Sequence, residues 1–268
     1  MKEHKESPLR YLTFQSFEQF EWMTHLFTTR HGGCSSNEFS TLNLSFTRGD
    51  NPECVHENYS RVASALGGSI TEIVCSDQTH TDHIRIVTKD DCGKGVIRQR
   101  DYTDIDGLIT NEPGVTLACF FADCVPVYLV DPVHRVVGLC HSGWRGTKLK
   151  ISAKMLQKMN ELYGTNPTEV YAGIGPCICG NCYEIGNDVA QEFMEFSFAD
   201  EILQKTDEEH YHLDLVKTNE KILLQAGVLK EKIELPGICT CCNPEFLFSH
   251  RASHGKRGNL GAFIRIKS

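Results

Sequence analysis

One segment constrains this chain more than any other: "VTLACFFADCVPVYLVDPVHRVVGLCHSGWRGT", residues 115–147. "VTLACFF", "VPVYLV" and "RVVGLC" read as strands, and "VDP" at 130–132 reads as the turn of a buried hairpin. Asp123-Cys124 interrupt the first apolar stretch, and His141 closes the last. A polar group in such a run costs free energy unless it is paired or binds something. Pairing across the turn brings Cys124 and His141 to the same end of one sheet.

The rest of the chain supplies more short strands: "HLFTTR", "EIVCS", "HIRIV", "DGLIT", "EVYAGIG", "EFLFSH" and "GAFIRI". Four helices interrupt them. The first is capped by Asn51 with Pro52 in its first turn, ends at Gly67, and turns Val55, Tyr59, Val62 and Leu66 inward. The second begins near Thr147, places Ile151, Met155, Met159 and Leu162 on one face, and stops at Gly164. The third starts near Asn187 with Val189, Phe193 and Phe196 in register. The fourth runs from Asp214 to Gly227 with Leu215, Ile222, Leu223 and Ala226 inward. Strands and helices do not alternate strictly, so the expected fold is α+β: mixed sheets covered by helices. With no repeat or linker, 268 residues read as a single domain, 1–268.

A net charge of −8 argues against a non-specific nucleic-acid binder, which needs a basic patch to displace counterions. No apolar run approaches the ~20 residues that span a bilayer, and the charged start "MKEHKE" lacks a signal-peptide core. A cytoplasmic protein, monomer or homodimer, is expected. Thirteen cysteines is a rich and odd supply there, which points to fillers, metal ligands or nucleophiles rather than a disulfide framework.

His80 in "CSDQTHTDHI" lies just past a strand, like His141. Two imidazoles and the Cys124 thiolate suit zinc, and ligands so far apart in sequence favour a catalytic site with an open position. The plainer reading makes Cys124 a small core residue. "GLCHSGWRGT" offers a Gly-rich turn, Gly143 to Gly146, entering a helix, where free N–H groups and the Arg145 fork suit an anion; its plainer reading is an ordinary turn with a surface arginine. Arg48 and Arg61 are further cations of interest. "CICGNC" (Cys177, Cys179, Cys182) and "CTCC" (Cys239, Cys241, Cys242) could hold a second metal or be incidental thiols. The "HYH" pair, His210 and His212, suggests copper only weakly, since one such pair is too few for a multicopper centre.

"FTTRHGG", "LNLSF", "ENYSRVASALG", "QTHTDHI", "DGLIT", "ADCVPVYLVDP", "GLCHSGWRGT", "GPCICGNCYEIG", "LDLVKTNEKILLQAGV" and "CTCCNPEFLFSHR" occur in that order from about residue 25 onward. Together they resemble the YfiH-type, laccase-domain family, also labelled polyphenol oxidase and peptidoglycan editing factor. The resemblance implies an α/β/β/α layered fold and a mononuclear zinc held by His80, Cys124 and His141. It also implies purine nucleoside chemistry: phosphorolysis of adenosine, inosine, guanosine and methylthioadenosine, and deamination of adenosine. This chain reads "QTHT" where the family commonly has "QVHG".

On that reading Asp123 and His83 are candidate proton carriers. Arg48, Arg145 and the Gly143–Gly146 turn would hold phosphate, and Asn43, Arg61 and Tyr183 are candidate contacts around the nucleoside. Three alternatives remain. Cys124 with His141 could form a thiol hydrolase acting on peptidoglycan precursors; copper could serve a polyphenol oxidase; or zinc could stabilise a non-catalytic interaction domain.

Overall fold

The computed structural model describes residues 1–6 and 9–268. The chain begins with β1 (Lys2–Glu6), β2 (Leu9–Thr13) and β3 (Met23–Thr28), then helix α1 (Pro52–Ala65). Next come β4 (Ile73–Cys75), β5 (Ile84–Ile86) and β6 (Gly107–Thr110). The apolar segment supplies β7 (Thr116–Phe121), β8 (Val125–Asp131) and β9 (Val136–Ser142), then α2 (Trp144–Lys148) and α3 (Ile151–Tyr163). β10 (Tyr171–Ile174), β11 (Glu184–Gly186), α4 (Asn187–Met194), α5 (Ala199–Ile202), β12 (Leu203–Lys205) and β13 (His210–Leu213) follow. Helix α6 (Leu215–Gln225), β14 (Ile233–Glu234) and β15 (Leu260–Ile266) complete the chain.

These strands form two six-stranded mixed sheets, ordered β1-β2-β3-β15-β7-β4 and β14-β10-β8-β9-β6-β5, and a small sheet β11-β13-β12. The large sheets face each other. Leu117, Cys119 and Phe121 of β7 meet Tyr128, Val130, Val137 and Leu139 of β8 and β9 in one buried cluster. The opposite face of the first sheet, with Leu26, Ala118 and Phe263, is covered by Val55, Tyr59 and Val62 of α1. The opposite face of the second, with Val127, Leu129 and Cys140, is covered by α3, α4 and α6. Helix, sheet, sheet, helix is the layer order. It explains why β8 and β9 are apolar at successive positions: both faces are buried.

Helix α1 has the expected cap, Asn51 accepting from the Glu53 N–H, and the expected face. α6 is capped by Asp214, which accepts from the Lys217 N–H. Three expectations need correction. The helix foreseen from Thr147 is two helices, because Lys150 adopts a left-handed conformation between α2 and α3. Within α3, Leu162 is exposed and Leu156 takes the buried place, so the apolar face is rotated by about one position. The segment "EFLFSH" is not a strand: Leu247 and Phe248 are buried in irregular chain, where the Phe246 carbonyl accepts from the Arg30 N–H. Phe196 is buried as foreseen but lies beyond the end of α4.

The hairpin register decides the site. β8 and β9 pair antiparallel with Val125 opposite Ser142 and Pro126 opposite His141. Asp131 makes the turn by accepting from the Val133 and His134 N–H groups. Between β7 and β8 the chain leaves one large sheet and enters the other, and Ala122-Asp123-Cys124 is that crossing. Cys124 therefore sits at the seam of the two sheets.

Candidate metal centre and its cleft

His141 points inward from β9 and is buried, with its ring 5.5 Å from that of Phe121. An imidazole in that place needs partners, and it has one in Asp106, the residue before β6. Asp106 is wholly buried and its Oδ1 lies 2.7 Å from His141 Nδ1. The other oxygen, Oδ2, accepts from the N–H groups of Thr79 and Thr81, each at 3.0 Å. Those two residues flank His80, whose own backbone is left-handed, with φ 69°. One carboxylate thus orients His141 and folds the loop that carries His80. The His80 and His141 rings meet edge to face with centroids 4.8 Å apart.

His80, Cys124 and His141 bring one ligand atom each to within 4.8 Å of one another. Burial opposes the Cys124 thiolate, but the neighbouring His141 and His80 imidazoles outweigh it and hold the thiol well below its ordinary value. Burial likewise opposes the His141 imidazolium, and Cys124 and Asp106 together reverse that and raise it. Burial also works against the Asp106 carboxylate, yet the bonds from His141, Thr81 and Thr79 keep it below the usual range. With Nδ1 committed to Asp106, His141 has Nε2 left for a metal, the usual arrangement of a carboxylate behind a ligating histidine. Gly143 closes the cradle. A Cβ there would stand 3.0 Å from His80 Cδ2 and 3.2 Å from Cys124 Sγ, so no other residue fits without moving a ligand.

The trio forms part of the lining of a cavity of about 430 Å³. Phe46, Tyr59 and Phe120 make an aromatic wall in it: Phe46 stacks on Tyr59 at 5.5 Å, and Phe120 meets Tyr59 edge-on at 6.1 Å. Arg48, Arg100 and Arg257 bring positive charge to the same cavity. Arg100 is engaged by Asp77 at 2.7 Å, whereas no carboxylate pairs with Arg48 or Arg257 among the described residues. Burial first, and then Arg48 beside it, bring the Arg257 guanidinium down to about 10. Its Nε is buried with no hydrogen-bond partner.

The structure divides the remaining residues singled out from sequence. Arg48 lines the cavity. Tyr183 is half-buried outside that lining, with Arg251 5.5 Å from its ring; burial and then Cys124 push its phenol up to about 12, so it stays protonated. Asp123, an expected proton carrier, lies outside the cavity lining and is held through both carboxylate oxygens. Its backbone is left-handed, at φ 88°, and its oxygens accept from Thr240 Oγ1 at 2.6 Å and the Arg251 N–H at 2.7 Å. Asn43 is buried, and both ends of its amide are spent on Ser45, Asp50 and Asn259. Arg61 pairs with Glu57 and the Gly32 carbonyl, away from the cavity. Arg145 is exposed with its guanidinium over the Trp144 ring, and it is not part of the cavity lining. His83 is exposed and paired with Asp104 at 2.8 Å. His210 pairs with Asp207, and neither it nor His212 joins a metal-ligand cluster among the described residues.

Sequence reasoning missed Asp106, Arg257, Gly143 as a ligand contact, and the aromatic wall. The signal for Asp106 was present, since a buried histidine requires an acceptor and "DGLIT" opens a strand with an acid.

Residues 24–267 match the family described as multi-copper polyphenol oxidoreductase laccase. The chain belongs to this laccase family. It is 37% identical over 246 residues to a Bacillus subtilis protein named purine nucleoside phosphorylase YlmD, covering 90% of this chain and 87% of that one. The crystal structure of the Bacillus licheniformis hypothetical protein YfiH superposes with a TM-score of 0.93 at 35% identity, covering 99% of both chains. The structure of YlmD from Geobacillus stearothermophilus superposes at 0.89 with 34% identity and the same coverage. The fold expected from the resemblance is therefore that of this chain. Among the described residues two groups of possible metal ligands gather, the His80–Cys124–His141 trio and a cluster of four cysteines.

Proposed function

We propose that this chain is, as a single domain, a zinc-dependent purine nucleoside phosphorylase that also deaminates adenosine. The observation that carries this reading is the meeting, in one cavity, of the His80–Cys124–His141 trio, an aromatic wall, and the Arg48 and Arg257 guanidiniums. The relatives' name supports it. Two nitrogens and a thiolate suit zinc, and three protein ligands leave a position open. Zinc there would supply Lewis acidity toward a substrate oxygen or a water.

The chain's own residues do the positioning. Phe46 and Phe120, partly buried and backed by Tyr59, offer faces against which a purine stacks. Arg48 and Arg257 are like charges held close in a partly desolvated place, an arrangement that an anion relieves. Phosphate bound there is oriented for attack on the anomeric carbon of the ribose, with the gain in rate that orientation gives. Base release from inosine should require phosphate, and Arg257→Gln should raise the KM for phosphate at least 10-fold while zinc content stays unchanged. An unaltered KM for phosphate would remove Arg257 from this role.

A thiol hydrolase is the second reading, since Cys124, His141 and Asp106 also have the order of a nucleophile, a base and its orienting acid. His80 and Gly143 favour the metal: a Cys–His dyad has no use for a third ligand group within 4.8 Å.

A further inference from the structure

We propose a second metal site in this chain, a tetrathiolate zinc centre formed by Cys179, Cys182, Cys239 and Cys242. Two Cys-x-x-Cys turns, far apart in sequence, face each other here, and their four sulfurs all lie within 4.8 Å of one another. Zinc–sulfur bonds of ~2.3 Å in a tetrahedron place sulfurs about 3.8 Å apart; Cys182 and Cys242 stand at 3.4 Å. Backbone N–H groups of Cys179 and Cys242 point at Cys239 Sγ, at 3.2 and 3.4 Å. Donors of this kind stabilise a sulfur that carries negative charge.

The plainer explanation of a cytosolic thiol is core filling, and it holds for Cys75, Cys119, Cys140 and Cys177, which are buried. It does not hold for these four, of which three are half-buried and Cys242 is exposed. Four thiols gathered at the surface bury little area and gain little by packing. Four thiolates around one divalent ion make a closed structural site.

The centre has a mechanical role. It ties the turn at 179–182 to the turn at 239–242, which a backbone bridge between Cys177 and Cys239 already aligns. Thr240, inside the second turn, donates to Asp123, and the Ile178 N–H beside the first turn donates to the Asp123 carbonyl at 3.0 Å. Asp123 is the left-handed residue that immediately precedes Cys124. The thiolate centre thus fixes the kink that presents the Cys124 ligand to the cleft, without touching the cleft itself.

The test is a metal count by mass spectrometry on the full chain and two variants. Wild type should hold about two zinc ions per chain, Cys242→Ser about one, and His80→Ala about one. The separate His80→Ala arm distinguishes failure of this proposal from failure of the cleft's zinc. Should Cys242→Ser not fold, cobalt-loaded wild type serves instead, its thiolate-to-cobalt absorption reporting five thiolates per chain rather than one. One zinc in wild type, unchanged in Cys242→Ser, would overturn the site, as would two disulfides among these cysteines in the intact mass. An iron in place of the second zinc would overturn the choice of ion.

Discussion

Asp106→Asn keeps the shape of a side chain that accepts from His141, from the Thr79 N–H and twice from Thr81, but replaces one acceptor by a donor facing those groups. Outer partners of this kind are worth about 10- to 100-fold in metal affinity. Asp106→Asn should therefore weaken zinc binding by that factor, measured by competition with a chelator. The pH dependence has a definite sign. Asp106 is held below the ordinary carboxylate value of about 3.9, so its contribution to stability is complete above that pH and is lost as pH falls through the lower folded value. In urea unfolding of metal-free protein, the gap between wild type and Asp106→Asn should be at its widest between about pH 6 and pH 4, where His141 is charged in both states, and narrow below about pH 4. A gap that widens below about pH 4 would contradict the assignment. Cys124 gives a complementary readout. In metal-free protein its thiolate persists down to about pH 6, so alkylation should reach half its plateau rate near there. His141→Ala should move that point up toward the ordinary thiol value of about 8.5.

Among the elements, α3 shows where sequence periodicity is legible and where it misleads. The pattern Ile151, Met155, Met159 located the helix, and Gly164 ended it in a left-handed conformation, as that glycine implied. Leu162 was counted with the face because an ideal repeat continues it, but it is exposed, while Leu156 packs in the cluster that covers the second sheet. Leu156→Ala should cost about 2–5 kcal/mol in urea unfolding, and Leu162→Ala within about 0.5 kcal/mol; equal costs would contradict the observed face. The hairpin β8–β9 was legible because its turn and its two apolar runs are local. β1, with the charged sequence "KEHKE", and the short strands of the small sheet were not, because their pairing partners rather than their composition make them strands.

For the whole molecule, function depends on bringing distant segments to one seam. His80, Cys124 and His141 could be singled out from sequence because each is a polar residue beside or shortly after an apolar, strand-like run. Arg257, Phe46 and Phe120 could not, since an arginine in "GKRGN" and aromatic residues near strands look like surface and core until two sheets and the C-terminal loop enclose a cavity. Nor could the partners of Asp123, Thr240 and Arg251, be read from sequence, since they lie 117 and 128 residues away. We propose one cavity that both holds zinc and performs phosphorolysis. Its most direct test follows inosine and phosphate with wild type and Cys124→Ala, counting zinc in the same samples. Wild type should release the base and form ribose 1-phosphate in equal amounts, and Cys124→Ala should lose the cavity's zinc and this activity together. Base release that ignores phosphate, or that survives in Cys124→Ala after its zinc is gone, would contradict the account.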